Sequence, residues 1–257
     1  MKIKICTIAA LCSLVVLSAT AQVKPESILS RAYEGYSKKN ACWTTVLQES
    51  GQKYCMKIDR TDKMVVDGVS RTYILATGTA IDDQGEENGS HASAGLVGAF
   101  VIEEAAGKVQ LVSGDAKIAV GASGSAPTKW KFVKLGPANY WGWLNTIGDC
   151  HQGYCGSRYT ILVPYGKRIR DVAGFPASAD DSGACADKRC EAKSMQLEST
   201  LEIDSSRITD KVFPLVVTTS GKTGGRPVRS KEWLIPFNET KWEYVPPQGW
   251  PLKDAEF

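Results

Sequence analysis

The side chains best suited to acid–base chemistry are two histidines, His91 and His151, the only ones in the chain of 257 residues. His151 follows Asp149 by two positions, and an aspartate can orient a histidine that moves a proton. Residues two apart in a tight turn need not face each other, however, and Cys150 and Cys155 on either side of His151 are not nucleophiles once they are oxidised. The pattern permits acid–base chemistry at His151 but supplies no nucleophile beside it.

A second candidate for chemistry surrounds His91. The stretch from His91 to Gly95, with Ser93 at its centre, resembles the G-x-S-x-G motif that carries the nucleophile of many hydrolases, with the first glycine replaced. That motif needs a strand directly before it and a helix directly after it. Here a polar loop precedes, and residues 96–103 have the pattern of a strand. The sequence therefore does not favour a serine hydrolase.

Residues 1–21 have the features of a secretory signal peptide. Lys2 and Lys4 form a basic start, an apolar run over residues 5–18 follows, and Ala-Thr-Ala gives a cleavage site near Ala21. Because the leader carries two lysines and no acids, its removal changes 31 basic and 28 acidic residues to 29 and 28. We therefore expect an exported, nearly neutral protein without a long-range field for nucleic acid or anionic lipid.

Six of the eight cysteines remain after the leader. An even number in an exported chain predicts disulfides. Their order in the sequence favours three local pairs, Cys42–Cys55, Cys150–Cys155 and Cys185–Cys190. Structural zinc is not favoured because no cysteine pair has the C-x-x-C spacing and histidines are few. We expect no metal and no cofactor.

Two acidic stretches raise the question of Ca²⁺ binding, since carboxylates are the ligands that Ca²⁺ prefers. Neither has the spacing of an EF-hand loop. We interpret both as solvated acidic turns; their members are Asp82, Asp83, Glu86 and Glu87 in the first and Asp180, Asp181 and Asp187 in the second.

The remaining sequence has the pattern of a mainly β protein. One short amphipathic helix is predicted over Pro25–Lys38, followed by many short strands separated by Gly and Pro. This pattern predicts an antiparallel sandwich or barrel-like fold, with residues 22–257 as a single disulfide-stapled domain. Residues 81–94 and 174–193 lack periodicity and are predicted to be long loops. No apolar run after the leader is long enough for a membrane span.

The predicted strands differ in pattern, and some alternate between apolar and polar residues as expected for a sheet with one solvated face. They cover residues 43–47, 53–59, 64–66, 71–79, 96–103, 108–112, 117–120, 130–135, 140–147, 158–163, 195–203, 212–219 and 232–237. Near the end of the chain, the tryptophans and tyrosine at 242, 244 and 250 lie among prolines and are expected to pack as a clamp across the sheet.

The most promising recognition surface lies between Tyr140 and Arg170. Two strand-like segments flank the Cys150–Cys155 pair, which predicts a β-hairpin with a disulfide across its neck. A rigid tip of this kind suits binding, and Tyr and Trp are common in binding surfaces. A stapled turn without function is the alternative. The candidate binding residues are His151, Gln152, Tyr154, Trp141 and Trp143.

These observations predict an exported, non-enzymatic protein that binds another protein, as an inhibitor or an immunity factor does. No catalytic residue is assigned. Two alternatives stay open: a hydrolase of envelope polymers that uses His151 or His91 as acid–base, and a carbohydrate-binding module that uses exposed tryptophans. The expected location is the periplasm or the medium.

Overall fold

The computed structural model of the protein describes residues 24–66, 68–105, 108–253 and 255. The predicted signal peptide lies outside these residues. Two α-helices occur in the described part, α1 (Pro25–Ala32) and α2 (Lys188–Glu191). The strands are β1 (Gly35–Ser37), β2 (Cys42–Leu47), β3 (Gln52–Val66), β4 (Val69–Ile81), β5 (Gly95–Ala105), β6 (Lys108–Val120), β7 (Lys131–Gly136), β8 (Tyr140–His151), β9 (Tyr154–Tyr165), β10 (Arg168–Asp171), β11 (Pro176–Asp180), β12 (Gln196–Ile203), β13 (Leu215–Thr223), β14 (Arg226–Ile235), β15 (Phe237–Asn238) and β16 (Glu243–Tyr244).

The strands form two large antiparallel sheets, which confirms the predicted fold class. The first sheet is a meander in the order β1-β2-β3-β4-β5-β6. The second has the order β14-β13-β12-β11-β9-β8-β7, and β10 pairs with the distal half of β9. Strands β15 and β16 form a separate small pair.

Three apolar layers hold these elements together. Helix α1 covers one face of the first sheet, where Leu29 packs with residues such as Met56 and Ile74. The opposite face of that sheet meets the second sheet through a layer that includes Leu75, Trp130 and Trp143. The outer face of the second sheet carries the third layer, which the C-terminal segment closes with Tyr244, Trp250 and Leu252.

The C-terminal aromatic residues divide between core and surface. Trp250 is buried and its Nε1 donates to Thr219 Oγ1 at 2.9 Å, while the Tyr244 hydroxyl donates to the Phe213 carbonyl at 2.9 Å. Trp242 is half-buried and donates to the Tyr140 hydroxyl at 3.2 Å. The segment crosses the sheet and is fixed there by the polar ends of its rings.

Helix α1 is shorter than the predicted Pro25–Lys38. It ends at Ala32 because Tyr33 adopts an extended backbone, with φ −121° and ψ 154°, and turns its buried ring toward Phe100. The chain then continues as β1, which pairs with β2. Tertiary packing of Tyr33 therefore overrides the helical periodicity of the sequence.

Two predicted breaks in strands are absent. Strand β6 joins the segments predicted at 108–112 and 117–120. Strand β3 unites residues 53–59 and 64–66, with a bulge between Ile58 and Arg60. The bulged residue, Asp59, turns its carboxylate aside to accept hydrogen bonds from the backbone N–H groups of Lys129 and Trp130, at 2.9 and 3.2 Å. A single bulge thus lets one strand run through the polar residues between the two predicted strands.

The three predicted disulfides are present, Cys42–Cys55, Cys150–Cys155 and Cys185–Cys190. Three disulfides fit an extracellular location. In the described part of the chain, neither helix has the length and apolar character that crossing a bilayer requires.

Candidate functional site

The hairpin of β8 and β9 carries the predicted tip. The two strands remain paired up to Cys150 with Cys155 and His151 with Tyr154, so the strands run further than residues 147 and 158. Gln152 and Gly153 form the two-residue turn, with φ 49° and 86°. Positive φ at both central residues is the geometry of a type I′ turn, which matches the twist of the flanking strands. His151 and Gln152 are exposed, and the Tyr154 side chain is 52% exposed.

A second disulfide-closed loop follows β11 and is itself ordered by short-range contacts. Asp181 closes its neck, since its carboxylate accepts from the Met195 N–H at 2.7 Å. Asp187 caps α2 by accepting from the N–H groups of Arg189 and Cys190, at 2.9 and 2.8 Å. Cys185–Cys190 then closes the loop around α2. Residues 181–194 therefore have a defined shape despite their lack of periodicity.

The hairpin tip and this loop touch through two glycines. A Cβ atom on Gly153 would lie 2.2 Å from the Gly183 carbonyl carbon, and one on Gly183 would lie 2.8 Å from the Gly153 oxygen. Such distances exclude a side chain at either position unless the backbones separate. The contact brings the loops closed by Cys150–Cys155 and Cys185–Cys190 together into one exposed surface. We call it the paired-loop surface and define it as His151, Gln152, Tyr154 and residues 181–194.

The loop of residues 181–194 is also held from its other side by the hairpin of β13 and β14. Lys222 Nζ donates to the Glu191 carbonyl at 3.2 Å. A Cβ on Gly225 would lie 2.8 Å from the Ala192 carbonyl oxygen, so this hairpin tip also approaches the loop closely. The loop is thus clamped between two hairpin tips, mainly by main-chain contacts.

Two concavities border the paired-loop surface. A pocket of about 250 Å³ lies between Tyr154 and the Cys185–Cys190 bridge. A larger open groove of about 820 Å³ crosses the second sheet, and Asp180, Gln196 and Lys222 line it. Both are accessible in the isolated chain and could accept parts of a bound partner.

Asp180 is one of the charged residues that line the larger groove. Its carboxylate accepts from the Ser182 hydroxyl at 2.6 Å and from the Ser182 N–H at 2.8 Å. These hydrogen bonds lower the pKa of Asp180, and Lys222 contributes in the same direction. The groove therefore presents a carboxylate that is ionised at neutral pH.

The acidic residues near the third cysteine pair stabilise the backbone by accepting hydrogen bonds from it. Asp180, Asp181 and Asp187 each accept hydrogen bonds from main-chain N–H groups, as described above. Over the described ranges, no set of three or more His, Cys, Asp or Glu side chains has the arrangement needed to hold a metal ion. The arrangement explains these acids as capping groups of turns.

The five predicted binding residues do not come together. His151, Gln152 and Tyr154 share the tip, whereas Trp141 and Trp143 lie at the far end of β8, about 30 Å away at roughly 3.3 Å per residue. Trp143 is fully buried between the sheets. Trp141 is half-buried and stacks on Phe132 with a centroid distance of 5.0 Å. We therefore carry only the tip residues into the proposed surface.

The two histidines lie in different parts of the fold. His151 is at the hairpin tip of the second sheet, and the Asp149 carboxylate accepts from the Cys150 N–H at 2.8 Å. His91 is in the loop before β5, where its Nδ1 lies 3.5 Å from Ser123 Oγ. Ser93, whose surroundings did not favour a nucleophile elbow in the sequence, has its Oγ 2.7 Å from Ser90 Oγ.

Comparison with known proteins supplies no assignment. No protein-family model, curated protein or solved structure matches the chain.

The sequence contained one signal for the paired-loop surface that periodicity did not reveal. Glycines lie at the centre of one disulfide-closed segment and beside the other, at 153 and 183, and a third lies at 225. Glycine permits close approach of two backbones. Which glycines approach each other depends on the order of strands in the second sheet, and that order is not encoded in local pattern.

Proposed function

We propose that this protein is an exported binding protein that recognises another protein through the paired-loop surface. The observation that carries the proposal is the contact between Gly153 and Gly183, which joins two disulfide-closed loops into one exposed unit. Loops fixed on a rigid sheet lose little conformational entropy on binding, and this favours affinity.

The composition of the surface fits a protein partner. Tyr154 offers a large half-exposed ring next to a pocket of about 250 Å³, which is the usual form of an interface anchor. Lys193 lines the same pocket, and His151 and Gln152 are exposed beside Tyr154 in the hairpin tip. An aromatic anchor with a polar rim is the kind of surface by which an inhibitor or an immunity factor binds its partner protein.

Export is part of the proposal. The disulfides are consistent with it, and residues 1–21 would direct the chain out of the cytoplasm and be removed near Ala21, leaving the protein in the periplasm or the medium.

The carbohydrate-binding alternative has less support, since all seven tryptophans are buried or half-buried.

The test uses the oxidised protein of residues 22–257, immobilised and exposed to an extract of the envelope and medium of the source cells. A captured protein is then purified and its affinity measured by calorimetry. Replacing Tyr154 or His151 by Ala should weaken binding by about fivefold or more, because truncation of an anchor commonly costs over 1 kcal/mol. The melting temperature should not change.

Tyr36→Ala is the matched control, because Tyr36 is 54% exposed but lies on the first sheet. It should leave the affinity unchanged. If the partner binds Tyr154→Ala and His151→Ala as tightly as the parent protein, the paired-loop surface is not the interface and the proposal fails.

A further inference from the structure

A serine and a histidine meet on the first sheet, away from the paired-loop surface. Strand β6 ends at Val120, and the turn Gly-Ala-Ser-Gly-Ser follows over residues 121–125. Ser123 Oγ lies 3.5 Å from His91 Nδ1, and both side chains are exposed. A hydroxyl beside an imidazole is the basic arrangement of an activated nucleophile, and such contacts are often loose before a ligand binds.

The backbone at Ser123 is strained. Its φ is 52°, in the left-handed region that residues other than glycine rarely occupy. Strained residues of this kind are concentrated at functional sites. The turn also has the form G-x-S-x-S directly after a strand, which resembles the G-x-S-x-G elbow that presents a nucleophilic serine. No helix follows it here, because residues 126–130 are irregular.

Main-chain contacts fix the loop of His91 against the turn of Ser123. The Gly124 N–H donates to the Ser93 carbonyl at 2.6 Å. A Cβ on Gly89 would lie 2.1 Å from the Ser123 oxygen, so the two backbones are in close contact there. The hydroxyl and the imidazole are thus held together by elements outside their own side chains, and this reduces the cost of orienting them.

We propose that Ser123 is a nucleophile toward activated acyl and phosphonyl groups, with His91 as its general base. In acyl transfer, Ser123 Oγ forms a bond to the carbonyl carbon while its proton passes to His91 Nδ1. Collapse of the tetrahedral intermediate breaks the bond to the leaving alkoxide, which takes the proton from His91. Water then attacks the acyl-serine by the same route and releases the acid.

The rate of ester turnover is limited because Ser123 and His91 lack the third residue of a catalytic triad among the described residues. Among the described residues, no carboxylate lies within hydrogen-bond distance of His91, so nothing corresponds to the aspartate that orients the histidine in a complete triad. We therefore expect covalent capture of a reactive probe, with slow turnover of an ester.

The experiment treats the oxidised protein of residues 22–257 with a fluorophosphonate probe and follows adduct formation by intact mass and peptide mapping. In this reaction the Ser123 oxygen displaces fluoride from phosphorus. We expect one adduct per chain, located on Ser123. Ser123→Gly should abolish it without loss of the fold, because glycine suits a φ of 52° better than serine does. His91→Gln should slow labelling by at least about tenfold, as expected for loss of a general base.

Ser90→Ala is the control for an exposed hydroxyl in the same loop, and its labelling should match that of the parent protein. Three results would overturn the proposal: no adduct on the folded protein, an adduct that persists in Ser123→Gly, or equal labelling rates for the parent protein and His91→Gln. None of these results bears on the binding of a partner by the paired-loop surface, so the two proposals can fail separately.

Discussion

Gly153 and Gly183 touch backbone to backbone, and neither position has space for a Cβ atom. One glycine is in the turn of a hairpin, and the other is in a loop that begins after a different strand. Their contact is the point at which two covalently closed segments become one surface. The consequences of separating them can be measured directly.

Gly153→Ala should destabilise the protein more than an equivalent change at a glycine without neighbours. Gly51→Ala is the matched control: Gly51 has φ 68°, and apart from its chain neighbours no described residue has an atom within 4 Å of the place that a Cβ would occupy, whereas Gly153 has φ 86° and the Gly183 backbone at 2.2 Å. We expect a loss of about 1 kcal/mol for Gly51→Ala from the left-handed backbone. Gly153→Ala should lose a further ~1–3 kcal/mol from overlap. Urea unfolding measures both.

The same pair of variants tests the order of the loop of residues 181–194. Lys188 and Arg189 are exposed within it and are potential trypsin sites. Gly153→Ala should accelerate cleavage there under native conditions, and Gly51→Ala should not. Equal cleavage rates would mean that the loop keeps its shape without the contact.

Asp171 should make stability depend on pH in the direction opposite to most carboxylates. Burial raises the pKa of Asp171 above its ordinary value of 3.8, although its Oδ1 accepts from the N–H groups of Ile161 and Ala173. Protonation therefore favours the folded state. The contribution is fully present below pH 3.8 and is lost as the pH rises through the raised folded value.

Asp171→Asn tests the predicted direction of the pH dependence of stability. An amide oxygen can still accept both hydrogen bonds, and the buried charge is gone. We expect the variant to be more stable than the parent protein at neutral pH, with the difference vanishing below pH 3.8. Asp83→Asn, at an exposed position, is the control. A variant that is less stable at neutral pH would show that the carboxylate charge favours folding.

The two tryptophans of β8 should separate a core role from a surface role. Trp143→Ala removes a fully buried side chain and should cost about 3–5 kcal/mol. Trp141→Ala removes a half-buried ring that stacks on Phe132 and should cost roughly 1–2 kcal/mol. Denaturant unfolding with tryptophan fluorescence gives both values. Similar costs for the two would contradict the burial difference.

Neither tryptophan variant should alter the affinity for a partner at the hairpin tip, provided that it is measured under conditions in which the variant is folded. Loss of binding by folded Trp141→Ala would extend the interface along β8.

The sequence was sufficient for the fold class and the disulfides because both depend on local pattern. Cys150 and Cys155 are close in the chain, and the strands around them pair with their neighbours in sequence. The helix boundary was wrong because a distant residue, Phe100, determines where the ring of Tyr33 packs. Periodicity within a window carries no information on such a contact.

The candidate site was only partly predictable for the same reason. Tyr154 and His151 could be assigned to an exposed tip from the hairpin pattern alone. Their neighbour, residues 181–194, is brought beside them because β11 pairs with the first half of β9. The pairing of Ser123 with His91 is also non-local, and the strained φ of Ser123 is invisible in a string of residue types.

The clamping of residues 181–194 by Gly153, Gly225 and a disulfide has a further consequence for how far the side chains of this surface can vary. The position of this loop is set by main chain, by the disulfide and by the side chains of Asp181 and Lys222. The exposed side chains at 151, 152, 154, 188 and 189 take no part in these contacts. Those at 151, 154, 188 and 189 can be exchanged without refolding the protein, whereas position 152 needs a residue that tolerates its φ of 49°. The paired-loop surface is thus a scaffold on which a new partner preference can be selected from a library at a handful of positions.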